Sequence, residues 1–136
     1  MDMHFGVKYS RAISPAAATS DDTAWVSEIL DTANFADNEL VLLAGSLADA
    51  DATFTVLLEE GANSALSDNT AVADVDMLGT EALASFTFAA DNATRKLGYI
   101  GMKRYIRATV TPATNTGNAF LAGVWAQGGA RVSPQS

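Results

Sequence analysis

The side chains able to do chemistry are few, and their types set limits at once. The chain of 136 residues has no cysteine and a single histidine, His4. Disulfide frameworks, thiol nucleophiles, zinc–thiolate sites and any triad or metal site needing two histidines are therefore excluded. Some of the carboxylates fall into two Asp-x-Asp pairs, Asp49-Ala50-Asp51 and Asp74-Val75-Asp76. That spacing suits a shared hard cation, but the central glycine and terminal glutamate of an EF-hand loop are missing. Aspartates in such segments ordinarily cap turns. There is no Gly-x-Ser-x-Gly elbow, no glycine-rich phosphate loop with its lysine and no His-Glu-x-x-His. Among 16 acids nothing singles out a catalytic pair. The expectation is a protein that is not an enzyme and uses no cofactor or metal.

One stretch is dense in functional groups: Leu97-Gly98-Tyr99-Ile100-Gly101-Met102-Lys103-Arg104-Tyr105-Ile106-Arg107. Cations interleaved with aromatic rings can grip single-stranded nucleic acid. A net charge of −8 opposes that, because nucleic acid and anionic membranes repel a negative surface. Two readings remain. The stretch is a central strand whose cations pair with Glu39, Glu59 or Glu60, or it is a protein–protein contact, for which Tyr and Arg are well suited. The charges are divided along the chain. All 16 acids lie at or before Asp91, beside only Lys8 and Arg11, whereas Arg95, Lys96, Lys103, Arg104, Arg107 and Arg131 follow without an acid among them. Both stretches carry apolar patterning, so neither is a solvated tail, and the charges are matched within the fold or between molecules.

The elements that must position these groups read almost wholly as β. Residues 1–23 read as an extended N-terminal arm, since Pro15 fixes its own φ and turns Ser14 away from helix. The domain proper spans 24–136. Strands are expected at 25–30, 39–44, 53–60, 84–89, 97–110 and 119–126. In Thr53-Phe54-Thr55-Val56-Leu57-Leu58 the period of two sends Phe54, Val56 and Leu58 to the core. Ile106, Ala108 and Val110 share one face in the same way. Residues 39–44 are nearly continuous in apolar side chains, as expected of a strand covered on both faces. The last strand is likewise apolar on both sides, with Phe120, Val124 and Ala126 on one and Leu121 and Trp125 on the other. Gly98 and Gly101 predict a bulge or bend within 97–110. Residues 112–118 read as a hairpin loop, and Val72, Val75 and Leu78 as anchors of the irregular region 61–80. These ranges and their regular turn signals imply an all-β antiparallel sandwich or jelly roll of about seven to eight strands. No run approaches the ~20 apolar residues of a membrane span. The first residues lack the apolar core of a signal peptide, so synthesis in a cytoplasm is expected.

The segment 98–107, with Thr109-Val110-Thr111-Pro112 and the strand from Phe120 to Trp125, resembles the carboxy-terminal half of head-decoration (cement) proteins of tailed bacteriophages. A looser similarity runs through Phe54-Thr55-Val56-Leu57-Leu58-Glu59 and Leu78-Gly79-Thr80, so that it covers about 24–132 and leaves the arm uncovered. The resemblance implies a sandwich that sits on the outer surface of a phage head. There it would bind the major capsid protein, commonly as a trimer, bridge capsomers and stabilise the shell. The expected contact residues are Phe5, Lys8, Tyr9 and Arg11 of the arm against the shell, together with Tyr99, Lys103, Tyr105, Arg107 and Trp125 at capsid or subunit interfaces. No contact with nucleic acid or membrane is expected. The alternatives are a carbohydrate-binding sandwich using Trp25, Trp125 or Tyr99, and another virion part from the tail or connector.

Overall fold

A computed structural model describes residues 3–130; Arg131 and the polar tail ending in Pro134 lie outside the described residues. In chain order the elements are helix α1 (Met3–Gly6), strands β1 (Lys8–Ile13), β2 (Trp25–Val26), β3 (Leu30–Asp31), β4 (Phe35–Leu47), β5 (Thr53–Gly61), β6 (Thr70–Ala71) and β7 (Met77–Leu78), helix α2 (Glu81–Ala84), then β8 (Phe86–Thr87), β9 (Thr94–Tyr99), β10 (Tyr105–Ala113) and β11 (Ala119–Ala130). They build two antiparallel sheets. The first has the order β1-β11-β4-β9-β7, and the second is centred on β10 and β5, with β2 and β3 along one side and β6 and β8 along the other. The fold is an all-β antiparallel sandwich.

The core is the set of inward positions that alternation selects. Phe54, Val56 and Leu58 of β5 face Ile106, Ala108 and Val110 of β10 within the second sheet. Leu40, Leu42, Leu97, Leu121 and Trp125 close on them from the first. Phe54 stacks on Phe86 with ring centroids 4.9 Å apart. The sheets are stitched at one edge by two adjacent residues. Ser27 N–H donates to Ala108 of β10, and Glu28 N–H donates to Ala12 of β1, each at 2.8 Å. The Glu28 carbonyl then accepts the Trp125 indole N–H at 3.1 Å, so the largest core side chain keeps its polar atom satisfied.

Five expectations change. The stretch 97–110 is not one bent strand: the chain leaves the first sheet after Tyr99 and enters the second at Tyr105. Gly101 makes this crossing possible, because a Cβ there would stand 2.5 Å from Tyr99 Oη. The connection 114–118 is likewise a crossing between sheets and not a hairpin, since β10 and β11 pair in different sheets. The leader is not loose along its length, for Lys8–Ile13 is an edge strand of the first sheet, in register with β11 from Lys8 opposite Gln127 to Ile13 opposite Gly123. In 61–80, Val72 and Met77 are the anchors, whereas Val75 and Leu78 point to solvent. The expected strand at 84–89 shrinks to β8 because Thr80 caps α2, accepting from Leu83 N–H at 3.0 Å, and Glu81 turns inward to accept from Leu58 N–H at 2.6 Å.

Candidate functional site

The two outer faces of the sandwich differ in chemistry. On the second sheet the outward positions are Thr53, Thr55, Leu57 and Glu59 of β5 and Tyr105, Arg107, Thr109 and Thr111 of β10. This surface is largely hydroxyl-bearing and polar. Arg107 Nη2 meets Glu59 Oε1 at 3.1 Å, and the pair is mostly shielded by its neighbours. That is the cation–carboxylate pairing between adjacent strands that one reading of the basic stretch proposed. A second pair was not foreseen: Arg104 binds Asp31 through two parallel hydrogen bonds of 2.9 and 2.8 Å. The Arg104 hydrogen bond is the main cause holding the Asp31 carboxyl below the usual carboxylate range, and Asp31 in turn raises Arg104. Arg104 also lies over the Tyr105 ring, 5.1 Å from its centroid.

The first sheet is apolar on both sides. Inward from β11 come Ala119, Leu121, Gly123 and Trp125; outward come Phe120, Ala122, Val124 and Ala126. Opposite them on β4 the outward residues are Leu43, Val41 and Glu39, with Leu43 facing Ala122 and Val41 facing Val124. Tyr9 and Arg11 of β1 flank this strip on one side, in register with Ala126 and Val124, and Lys96 of β9 flanks it on the other, opposite Val41. Pro15 rises at its margin. A groove of about 400 Å³ runs between Tyr9, Pro15, Leu43, Ala122 and Val124, and it continues past Gly45 and Phe120. Two strands whose sequences demand cover on both faces therefore receive it, among the described residues, on the inner face only.

The expected contact residues divide between surfaces. Lys8, Tyr9 and Arg11 share β1, but only Tyr9 and Arg11 border the apolar strip; Lys8 alternates to the other side, opposite the buried Gln127, and Arg11 reaches Glu28 only at 3.8 Å, with both side chains exposed. Phe5 lies on α1 with its ring edge-on to His4 at 4.6 Å. Tyr105 and Arg107 sit on the opposite face of the sandwich, so the two groups do not form one site. Lys103 lies in the crossing loop beside Met102, which is 96% exposed. Trp125 and Tyr99 require correction as contact residues. At 1% and 2% exposure they belong to the core, and neither ring can meet a partner. Tyr99 Oη donates toward Glu60 Oε2 at 3.3 Å and accepts from Lys103 N–H at 3.0 Å, joining the end of β9 to β5 and to the loop. Burial, the largest cause, pushes its phenol up to about 12.

The first Asp-x-Asp pair behaves as turn chemistry. Asp49 accepts from Thr116 N–H at 2.7 Å and Asp51 N–H at 2.8 Å, which lowers its carboxyl and ties the β4–β5 loop to the β10–β11 crossing. Among the described residues no three of His, Asp and Glu converge as a metal site. No helix among them is long and apolar enough to cross a membrane. Val41, Leu43, Phe120, Ala122, Val124 and Ala126 are not among the contact residues expected from sequence, although the double-sided hydrophobicity of 39–44 and 119–126 is the signal that marks them.

No family model matches the sequence, and no curated protein matches it. Solved structures do match in shape. A chain in the structure of infectious bursal disease virus Gx strain superposes with a TM-score of 0.51 at 9% identity, over 89% of this chain and 31% of that one. The CBM22-1–GH10 modules of a Clostridium thermocellum endo-1,4-β-D-xylanase, complexed with xylohexaose, give 0.48 at 8% identity over 96% and 27%. The C-terminal family 22 carbohydrate-binding module of the same organism's xylanase gives 0.40 at 13% over 94% and 88%. The chain thus spans less than a third of the first two. At these identities the likeness to the virus chain concerns the fold: a β-sandwich.

Proposed function

We propose that the protein is an accessory coat protein of a virion, a decoration or cement subunit on the outside of a phage head. It is made in the host cytoplasm, associates with copies of itself and binds the major capsid protein. The outer face of the first sheet carries this reading. Its outward residues Val41, Leu43, Phe120, Ala122 and Val124 form an apolar strip bordered by Tyr9, Arg11 and Lys96, and such a face gains by being covered. The head-decoration resemblance in 98–112 and 120–125 agrees with it, and a clamp of this kind needs no active site. Its effect is mechanical. Each copy contributes a modest interface, of standard order about 1,600 Å² in total. Linked copies then leave the shell only when several contacts fail together.

The sugar-binding alternative loses two of its three rings. Trp125 and Tyr99 are interior, and Trp25 is half-buried, with its ring centroid 6.0 Å from that of Phe54. The coat reading is tested on particles prepared with and without this protein. Particles lacking it should rupture at lower temperature or lower ionic strength, and equal survival would remove the role.

A further inference from the structure

We infer that β1 is an exchangeable strand: when copies of this chain associate, residues 8–13 of one copy leave their own β11 and pair with β11 of another. What fits beside β11 is fixed by the ladder already present, from Lys8 opposite Gln127 to Ile13 opposite Gly123. An identical strand from a second copy restores that register and buries the same Ala12 and Ile13. It also re-forms the 2.8 Å bond from Glu28 N–H to the Ala12 carbonyl. The strand's own contacts are therefore equal in the two arrangements, and the connection that follows it decides between them.

That connection carries slack. Thr19 returns to the same edge of β11, exchanging backbone hydrogen bonds of 2.9 and 2.8 Å with Ala119. Between these two anchors β11 has three residues, 120–122, whereas the chain beside it has five, 14–18. Six steps of extended chain reach about 20 Å, against about 14 Å for the four steps of β11. The surplus is looped out: Ser14, Pro15, Ala16 and Ala17 are exposed, and Ala16 N–H donates to the Ser14 carbonyl at 2.8 Å. That bond closes a three-residue turn on Pro15, and opening it costs a single local hydrogen bond. Beyond the loop the chain is held. Asn115 Nδ2 donates to the Asp21 carbonyl at 3.0 Å, and Asn115 N–H donates to Asp22 Oδ1 at 2.8 Å. A fixed anchor, a tight turn and an edge strand with two buried residues, Ala12 and Ile13, together make a hinge for strand exchange. Each copy gives one strand and receives one, so the exchange closes a dimer or a ring.

Exchange requires a second copy but no shell, and it does not depend on the coat role. The chain has no native cysteine, and Tyr9 stands opposite Ala126 in the ladder. Tyr9→Cys and Ala126→Cys chains are co-expressed with different tags, so that each β1 finds its β11 during folding, and are then oxidised. Disulfide-linked heterodimers should exceed the homodimers formed by either variant expressed alone, and heterodimers at that background overturn the inference. In the doubly substituted chain the two cysteines meet in both arrangements, and only the location of the bond differs. Bonds between chains on a non-reducing denaturing gel are expected; bonds wholly within single chains overturn the inference. Deleting Ala16 and Ala17 removes the slack and lets 8–19 run straight along its own β11, so the links between chains should be lost. Undiminished links in that deletion would remove the hinge and the exchange with it. Exchange in a protein that leaves particle survival unchanged would overturn the coat role alone. Particle protection by a protein with only intrachain bonds would overturn the exchange alone.

Discussion

Tyr99 is the residue on which the largest reorganisation of the chain turns. Its ring ends β9 in the core, and its hydroxyl holds Lys103 near the far end of the crossing loop. Gly101 passes so close to that hydroxyl that any side chain must displace it. Gly101→Ala should therefore lower stability by about 1–3 kcal/mol, the usual cost of overpacking, read as a drop in denaturant midpoint at constant slope. The phenol itself gives a pH signature. Its folded pKa is raised to about 12 above an ordinary value near 10, so the stability it contributes is complete below about 10 and is lost as pH rises through 12. Ultraviolet difference titration should show one late-ionising tyrosine, and Tyr99→Phe should abolish that step.

Acid acts in the other direction. Asp49 and Asp68 are lowered chiefly by backbone N–H donors, Asp31 by Arg104. Groups depressed in the folded state stabilise it above their unfolded pKa, near 3.9 for aspartate, and cease to do so as pH falls below it. Thermal melting should be level from neutral pH down to about 5 and fall steeply under 4. Asp49→Asn should flatten that fall, and an unchanged profile would show that these carboxylates are not what acid removes.

Among the elements, β11 bears the most weight. It pairs with β4 along nearly its full length and with β1 from Gly123 to Gln127, and it places Trp125 in the middle of the core. Trp125→Ala leaves a cavity that the flanking strands cannot close, and a loss of about 3–5 kcal/mol is expected. The ion pair between Arg104 and Asp31 has equally good geometry but lies in solvent, with both side chains about half exposed. Its removal by Arg104→Ala should move the denaturation midpoint far less than Trp125→Ala does, because solvent screens the pair. Comparing the two variants by chemical denaturation separates burial from charge. If Arg104→Ala proved as damaging as Trp125→Ala, the loop at 100–104 would have to contribute more to the fold than its hydrogen bonds suggest.

At the scale of the whole molecule, the sandwich is asymmetric: one polar, threonine-rich face and one apolar face with a groove. Leu43→Glu and Val124→Asp place charges on outward positions, so the fold should keep its melting temperature while binding to particles falls sharply. Thr55→Glu on the opposite sheet should leave particle binding intact. Loss of binding from the threonine face alone would relocate the contact surface.

Much of this was determined by the residues themselves. Alternation in 53–58 and 106–110 placed the core of the second sheet because side-chain direction along a strand reverses at every residue, whatever the partner. The absence of cysteine and of a second histidine closed off whole classes of chemistry. Sequence also marked 39–44 and 119–126 as apolar on both sides, but not what lies over each side. That depends on which strands are neighbours, and Tyr99-to-Tyr105 and Ala113-to-Ala119 look like bends or hairpins until pairing shows the chain changing sheets. The same long-range pairing drew Trp125 and Tyr99 inside, put Val75 outside, and turned residues 8–13 from a leader into an edge strand. Hydrophobicity is a local property of the chain; burial is decided by contacts between residues a hundred positions apart.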